Sequence, residues 1–454
     1  MAFAQEFINM LSQILPDSEQ AELIAALQTE PQVSIRTNPL IPGAHEMALE
    51  SLECTNDGLV PWARDAFYLD HRPQFTMDPL FHCGTYYVQE ASSMFLENAI
   101  RTCVQGPVKA LDLCAAPGGK STLLASLLPE GSLLVSNEIQ RSRAQILAEN
   151  MTKWGRKGTM VTCNTPQQIG QSSLLFDLIA VDAPCSGEGM FRKDDGAVAD
   201  WSEGNVEMCA ARQREIIQSI WPALKPGGFM IYSTCTFNRL EDEDNVQWIM
   251  EQYGAKPVTI STKPEWNILG SLTGADIPVY HFMQHRTRGE GFFLALLQKP
   301  DGTYREPALK PFKQAAGIPA QCSQWLRGNH EFFIRNEKLY ALPSELASDM
   351  WHVSQELYTL VPGIETAQLK GRDWVPAHGL AMSGSLNKDA FTQVEITRMQ
   401  ALQYLHCDAI QLTDAPRGIV LLTYRGIPLG FAKNLGNRAN NMYPQEWRIR
   451  SSIS

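Results

Sequence analysis

The period of the apolar positions changes along the chain, and the changes divide it. Over residues 5–29, Phe7, Leu11 and Ile14 recur at helical spacing. Pro16-Asp17-Ser18 then supplies a break and a cap before a second helical run, Ala21–Leu27. VSIRTNPL at 33–40 is strand-like and ends in a turn. DPLFHCGTYYVQEASSMF at 78–95 predicts a short aromatic strand and then a helix opening around Gln89–Ser93. From residue 108 a regular alternation sets in. VKALDLCA, SLLVSNEI (132–139), GTMVTCN (158–164), FDLIAVDAP (176–184) and GGFMIYSTCT (227–236) are apolar runs of strand length. Helical stretches separate or follow them: TLLASLL, a helix through Asn150, and residues 211–224 and 241–253. Strands alternating with helices predict an α/β fold with a doubly wound, mostly parallel sheet, whose edge FFLALLQK (292–299) is expected to close. After Lys299-Pro300-Asp301-Gly302 the alternation stops, and 310–380 is mixed. GIVLLTYRG (418–426) and IPLGFAKNL (427–435) mark a small β-rich domain. The expected organisation is a small N-terminal α/β extension (1–75), the main α/β domain (76–300), an intermediate segment (301–385) and the β-rich domain (386–454).

Composition narrows the class. Hydrophobic residues make up 44% and charged residues 19%, proportions that supply each domain with a core. No stretch approaches the ~18 apolar residues of a membrane helix, and the N-terminus lacks the basic start of a signal peptide. A cytoplasmic protein without membrane contact is expected. The net charge of −11 argues against nucleic acid, but the charge is uneven. Residues 1–60 carry nine acidic residues and one basic, whereas 417–454 carry six basic and one acidic, so a basic C-terminal face is expected. None of the ten cysteines forms a CxxC pair, so neither a metal site nor a disulfide framework is expected.

The sharpest local signal is LDLCAAPGGKST at 111–122. A strand runs into Pro117-Gly118-Gly119 and a helix starts at once, so the backbone can turn tightly and approach a ligand. Glu138 ends the next strand, 19 residues past Gly119 (138 − 119), where a doubly wound fold places the acid for ribose hydroxyls. The loop is neither GxGxxG nor GxxxxGKS, which disfavours dinucleotides and nucleoside triphosphates. Cys185, in VDAPCSGEGMFRKD (181–194), and Cys235, in STCTFNRLEDEDNV (233–246), each follow a buried strand. Carboxyl ends of parallel strands form the ligand crevice, so both thiols are expected in one site.

These three motifs, with HRTRGEGFFLA (285–295), IRTNPL and GTYYVQEASSM, resemble the Nop/Sun (NSUN-type) RNA cytosine-5 methyltransferases over nearly the whole chain. The layout is most similar to the bacterial members that act on rRNA and carry a C-terminal PUA-like RNA-binding module. The resemblance implies a Rossmann-like class I methyltransferase that uses S-adenosyl-L-methionine. Cys114, Ala115, Ala116, Pro117, Gly118, Gly119 and Lys120 would hold the cofactor, Glu138 its ribose, and Asp182 would lie near both cofactor and base. A third acidic position of the family falls here on Asn164, which can still hydrogen-bond the adenine but carries no charge.

The resemblance also assigns the cysteines. The DNA enzymes use the Pro-Cys thiol as nucleophile; the RNA family uses the Thr-Cys thiol, here Cys235, while the Pro-Cys thiol, Cys185, assists product release as a base. A thiolate is needed because carbon 5 of cytosine is too weak a nucleophile until a group adds to carbon 6. Lys120 is expected to lower the thiol pKa, and burial to keep Asp182 protonated toward the cytosine ring nitrogen. Arg192 and Lys193 read either as phosphate contacts or as solvated charges. Tyr86, Tyr87, Phe191 and Trp201 read either as base-stacking or as core aromatics. The implied partner is RNA, rRNA before tRNA, bound by a monomer. Two readings of other kinds remain open: an RNA-binding assembly factor without turnover, and a nucleotide-dependent oxidoreductase.

Overall fold

A computed structural model describes residues 3–306, 309 and 312–452. The extreme ends of the expected N- and C-terminal domains and four positions of the 301–385 segment lie outside the described residues. Seven consecutive strands of the main domain are labelled here: β1 (Lys109–Asp112), β2 (Leu133–Asn137), β3 (Thr159–Thr162), β4 (Phe176–Asp182), β5 (Leu224–Thr234), β6 (Lys256–Pro257) and β7 (Val279–Phe282). Two more, β8 (Phe292–Gln298) and β9 (Thr359–Val361), complete the central sheet, with order β6-β8-β5-β4-β1-β2-β3-β9 and β7 also paired to β8. The strands from β5 to β3 are parallel, and β8 and β9 run antiparallel outside them.

Alternate residues of these strands serve opposite faces, which is why each reads as a continuous apolar run. Ala110, Leu134, Val161, Leu178, Ala180 and Ile231 enter one core. Leu111, Val135, Met160, Ile179, Val181 and Met230 enter the other. The edge differs from expectation: β8 does not close the sheet, because β6 and β7 lie beyond it. Neither has a strand-like apolar run. β6 is two residues with a proline, and β7 carries buried His281, whose Nε2 pairs with Glu243 at 3.0 Å. The helix expected at 211–224 spans Glu203–Ile220, opened by Ser202, whose hydroxyl accepts from Asn205 N; Pro222 prevents its continuation.

The flanking segments are tied to this sheet more closely than their sequences suggest. Helices Gln5–Ile14 and Asp17–Ala26 pack through Phe7, Leu11 and Leu23 onto Phe191, Trp201 and Phe237, in the loops after β4 and β5. Strands Asn56–Leu59, Ala66–Leu69, Val33–Thr37 and Tyr86–Val88 make an antiparallel sheet. The segment that was illegible in sequence forms a second one, His330–Arg335, Lys338–Pro343, Ile364–Lys370 and Asp373–Pro376, and contributes β9. The C-terminal sheet orders Thr392–Glu395, Gly418–Tyr424, Ile427–Asn434 and Ala439–Asn441 beside helix Arg398–Leu405.

The N- and C-terminal sheets share one core. Ile35, Phe67 and Tyr86 pack with Leu402, Tyr404 and Leu422, and Arg425 pairs with Glu50 at 2.8 Å. Leu402→Ala is therefore expected to cost about 2–5 kcal/mol in urea unfolding. Hydrogen exchange should quicken in both 33–69 and 418–434; a change confined to 418–434 would show that the two sheets do not share a core.

Candidate active site

The strand order reverses between β1 and β4, and a crevice opens beyond their carboxyl ends. The loop after β1 enters helix Gly119–Leu127 through Gly118, at φ +122°, a conformation strained for any residue with a Cβ. Its carbonyls are held from outside. Arg143 Nη2 donates to Ala116 O at 2.9 Å and Asn150 Nδ2 to Pro117 O at 2.8 Å. The helix itself is braced by Arg36 of the IRTNPL segment. That buried guanidinium donates to Thr122 Oγ1 at 2.7 Å and to Gln89 Oε1 at 3.0 Å, and stacks on Trp154. Sequence reasoning assigned Arg36 no role; its place in the IRTNPL motif, as an arginine inside a strand, was the signal available.

The carboxylates divide by environment. Asp182 ends β4 about a third exposed, 2.9 Å from Lys120 Nζ, and accepts from Ser233 Oγ at 2.9 Å. The burial expected to keep it protonated is not there. Burial opposes the charge on Lys120, but the Asp182 carboxylate outweighs it and holds the ammonium above its usual pKa. The buried acid is instead Asp112 on β1, which sequence reasoning missed although it interrupts an apolar strand directly before the loop. Desolvation lifts its carboxyl to about 7 against the bond from Ser121 Oγ at 2.6 Å, and its Oδ1 has no partner among the described residues.

Glu138 sits at the end of β2, accepting from Gln140 N at 2.9 Å with Arg143 at 3.3 Å. Asn164 is already engaged. Its Nδ2 donates to Tyr358 O and its Oδ1 accepts from Tyr358 N, both at 3.0 Å, so its carboxamide docks the strand that pairs with β3. Cys114 lies in the loop, with burial pushing its thiol up.

Cys185 and Cys235, both free, meet with their sulfurs 2.9 Å apart. Cys235 N also donates to Cys185 Sγ at 3.3 Å. The hydrogen bond to Cys235, and burial behind it, raise the Cys185 thiol well above its usual value. The aromatic candidates are core residues. Tyr86, Phe191 and Trp201 are buried, and Tyr87 lies half-buried against Gly119. Arg192 is neither solvated nor free for phosphate: it makes a buried pair with Glu290 at 3.0 Å, which Lys193 joins at 3.5 Å.

Strand order β3-β2-β1-β4-β5 with an antiparallel β8, a glycine loop after β1 and a carboxylate after β2 define a Rossmann-like class I methyltransferase. Two solved structures share the fold. A methyltransferase homologue from Pyrococcus horikoshii has TM-score 0.57 and 23% identity, covering 66% of this chain and 96% of that one. NSun6 from Pyrococcus horikoshii, solved with SFG, has TM-score 0.55 and 20% identity, covering 66% and 99%. The model of 16S rRNA methyltransferase RsmB/F matches residues 105–298, that of the N-terminal domain of 16S rRNA methyltransferase RsmF residues 3–91, and that of the RsmF PUA domain residues 391–449. Ribosomal RNA small subunit methyltransferase F of Erwinia tasmaniensis is 30% identical over 98% of this chain and 96% of its own. The protein of the same name from Enterobacter sp. strain 638 is 31% identical over 98% and 95%. The chain belongs to the family of ribosomal RNA small subunit methyltransferase F.

The cofactor of this family is S-adenosylmethionine, and the crevice suits it. Glu138 ends β2, where it would meet ribose hydroxyls, and Asp112 Oδ1, directly before the glycine loop, is a buried acceptor without a donor among the described residues.

A carboxyl raised in the folded state binds more protons there than in the unfolded chain, so its contribution to stability is greatest at low pH. It is lost as pH rises from about 4 to about 7. Asp112→Asn should flatten the fall in unfolding free energy across that interval by up to about 4 kcal/mol, read from urea titrations at each pH; an unchanged slope would refute the assignment. Asn164→Asp removes the donor to Tyr358 O and should cost about 1–3 kcal/mol by the same measurement at pH 7.

Proposed function

We propose that this chain methylates carbon 5 of an unpaired or flipped-out cytosine in small-subunit rRNA, through a covalent bond between Cys235 and carbon 6. The observation that carries the reading is the pair of thiols 2.9 Å apart at the carboxyl ends of β4 and β5, beside the Lys120–Asp182 pair. A buried cytosine cannot present carbon 6 to a thiol, so the base leaves its stack first. The Cys235 thiolate adds to carbon 6 and makes carbon 5 nucleophilic. S-adenosylmethionine, when bound, supplies an electrophilic methyl on a sulfonium. With the methyl on carbon 5, the proton on that carbon passes to a base, the ring double bond re-forms, and the carbon–sulfur bond breaks to return the thiolate.

Cys185 serves this release. Beyond the role of base, its sulfur lies 2.9 Å from Cys235 Sγ, within reach for an S–H on Cys185 to stabilise a departing thiolate. Asp182, as a carboxylate fixed by Lys120 and Ser233, is placed to hydrogen-bond the base rather than to act as a buried acid. Lys120 balances its charge and that of Cys235. Small-subunit rRNA as the substrate rests on the names of the relatives, and 386–454 is assigned to RNA docking on the RsmF PUA match.

The test is transfer of labelled methyl to small-subunit RNA lacking the modification, and to tRNA, with wild type, Cys235→Ala and Cys185→Ala. Wild type should label carbon 5 of cytosine in the rRNA, and Cys235→Ala should fall by at least ~10³-fold without trapping RNA. Cys185→Ala should accumulate a covalent adduct. Activity in Cys235→Ala would refute the nucleophile; labelled tRNA alone would move the substrate; RNA binding without transfer by wild type would favour the assembly-factor reading.

A further inference from the structure

Behind the two thiols lies a pair of buried carboxyls that the reaction above leaves unused. Glu188 is three residues past Cys185 and Glu241 six past Cys235, and both are fully buried. They share donors. Ser186 Oγ donates to Glu188 Oε1 at 3.0 Å and lies against Glu241 Oε1. Asn238 Nδ2 reaches Glu188 Oε1 at 2.9 Å and Glu241 Oε1 at 2.8 Å.

Glu241 Oε2 also accepts from Ser186 N at 3.1 Å and from Gln213 Nε2 at 2.6 Å. Gln213 Nε2 in turn reaches Pro184 O at 3.0 Å, and its Oε1 accepts from Tyr232 and Asn245. The residues immediately before and after Cys185 are thus both held by one network rooted in β5 and in helices Glu203–Ile220 and Glu243–Tyr253. Among the described residues the Cys185 sulfur itself is hydrogen-bonded only to Cys235, so its position is set by this hold on its neighbours.

An isolated pair of buried carboxyls is costly, and apolar residues of the same volume would pack a loop at less expense. What they would lack is acceptors for the Ser186 N–H, the Ser186 hydroxyl and the two amides at once. Burial lifts both carboxyls, Glu241 to about 7.

We propose that Glu241, acting with Glu188 and Gln213, is the positioning residue for Cys185 in product release. The proposal rests on the reaction assigned above. A glutamine at 241 turns one end of the carboxylate into a donor facing Ser186 and Asn238 or facing Gln213. Either way donor meets donor and the clamp on residues 184–186 opens. Cys235 follows β5 directly, and its carbonyl accepts from Gly189 N at 2.8 Å, a contact outside residues 184–186.

Glu241→Gln should therefore behave like Cys185→Ala. With S-adenosylmethionine and unmethylated small-subunit RNA, denaturing gels should show covalent protein–RNA adduct at least ~10-fold above wild type for both variants. Gln213→Met removes the donor to both Pro184 and Glu241 with little change of volume. It should show a smaller increase, and it carries the test if Glu241→Gln is too unstable to purify. Methyl per RNA in the first turnover and binding of S-adenosylmethionine are measured beside the gel. The proposal is overturned if Cys185→Ala traps adduct while the two network variants release RNA as wild type does. It is equally overturned if those variants lose adduct and methyl transfer together while still binding cofactor, the pattern of a merely structural network. No adduct with Cys185→Ala overturns the underlying reaction, and this proposal with it.

Discussion

The site depends on the parallel pairing of β4 with β5. Asp182 lies opposite Ser233 in that register, and Ala183 N donates to Ser233 O at 2.8 Å just beyond it. Two short overhangs past this paired end carry Cys185 and Cys235. Fifty residues apart in the chain, they meet at 2.9 Å because both strands stop at the same level of the sheet. A one-residue slip of either strand would part Asp182 from Ser233 and turn the side chains of that strand to the opposite face, separating the two thiols.

Charge is distributed around this pair with a clear logic. The exposed carboxylate, Asp182, has a cation and a hydroxyl; the buried ones, Asp112, Glu188 and Glu241, are lifted by desolvation. Lys120 and Ser233 hold the Asp182 carboxyl at the crevice, while the sheet interior raises the carboxyls of a network that fixes backbone. Of the two thiols, Cys185 is the one raised by its hydrogen bond to the other and by burial.

The remaining layers act on the site from a distance. The N-terminal helices cover the loops after β4 and β5, Arg36 braces the helix that opens at the glycine loop, and the segment around residues 330–376 adds β9 to the sheet beside β3. Asn164 shows how such a role hides in sequence. An amide both donates to and accepts from the Tyr358 backbone, which a carboxylate cannot do, so the departure from the family's acid coincides with a docking contact.

The apolar runs at 109–112, 133–137, 159–162, 176–182 and 224–234 made the doubly wound sheet legible, because strands buried on both faces have no polar alternation to confuse. The glycine loop, Glu138 and the two cysteines were legible because strand ends and turns carry short, local signatures. Local signatures did not reach β6, β7 or β9, which are short and stabilised by neighbours elsewhere in the chain, with a proline in β6 and a histidine in β7. Nor did they reach the state of each polar group. Whether Asp182 or Asp112 is the buried acid, whether Arg192 meets solvent or Glu290, and whether Tyr86 and Trp201 stack on bases or fill a core all depend on burial. The sequence by itself determined which residue types stand at the ends of which strands. Only the tertiary structure decided their desolvation and their partners, because those are set by elements tens to hundreds of residues away.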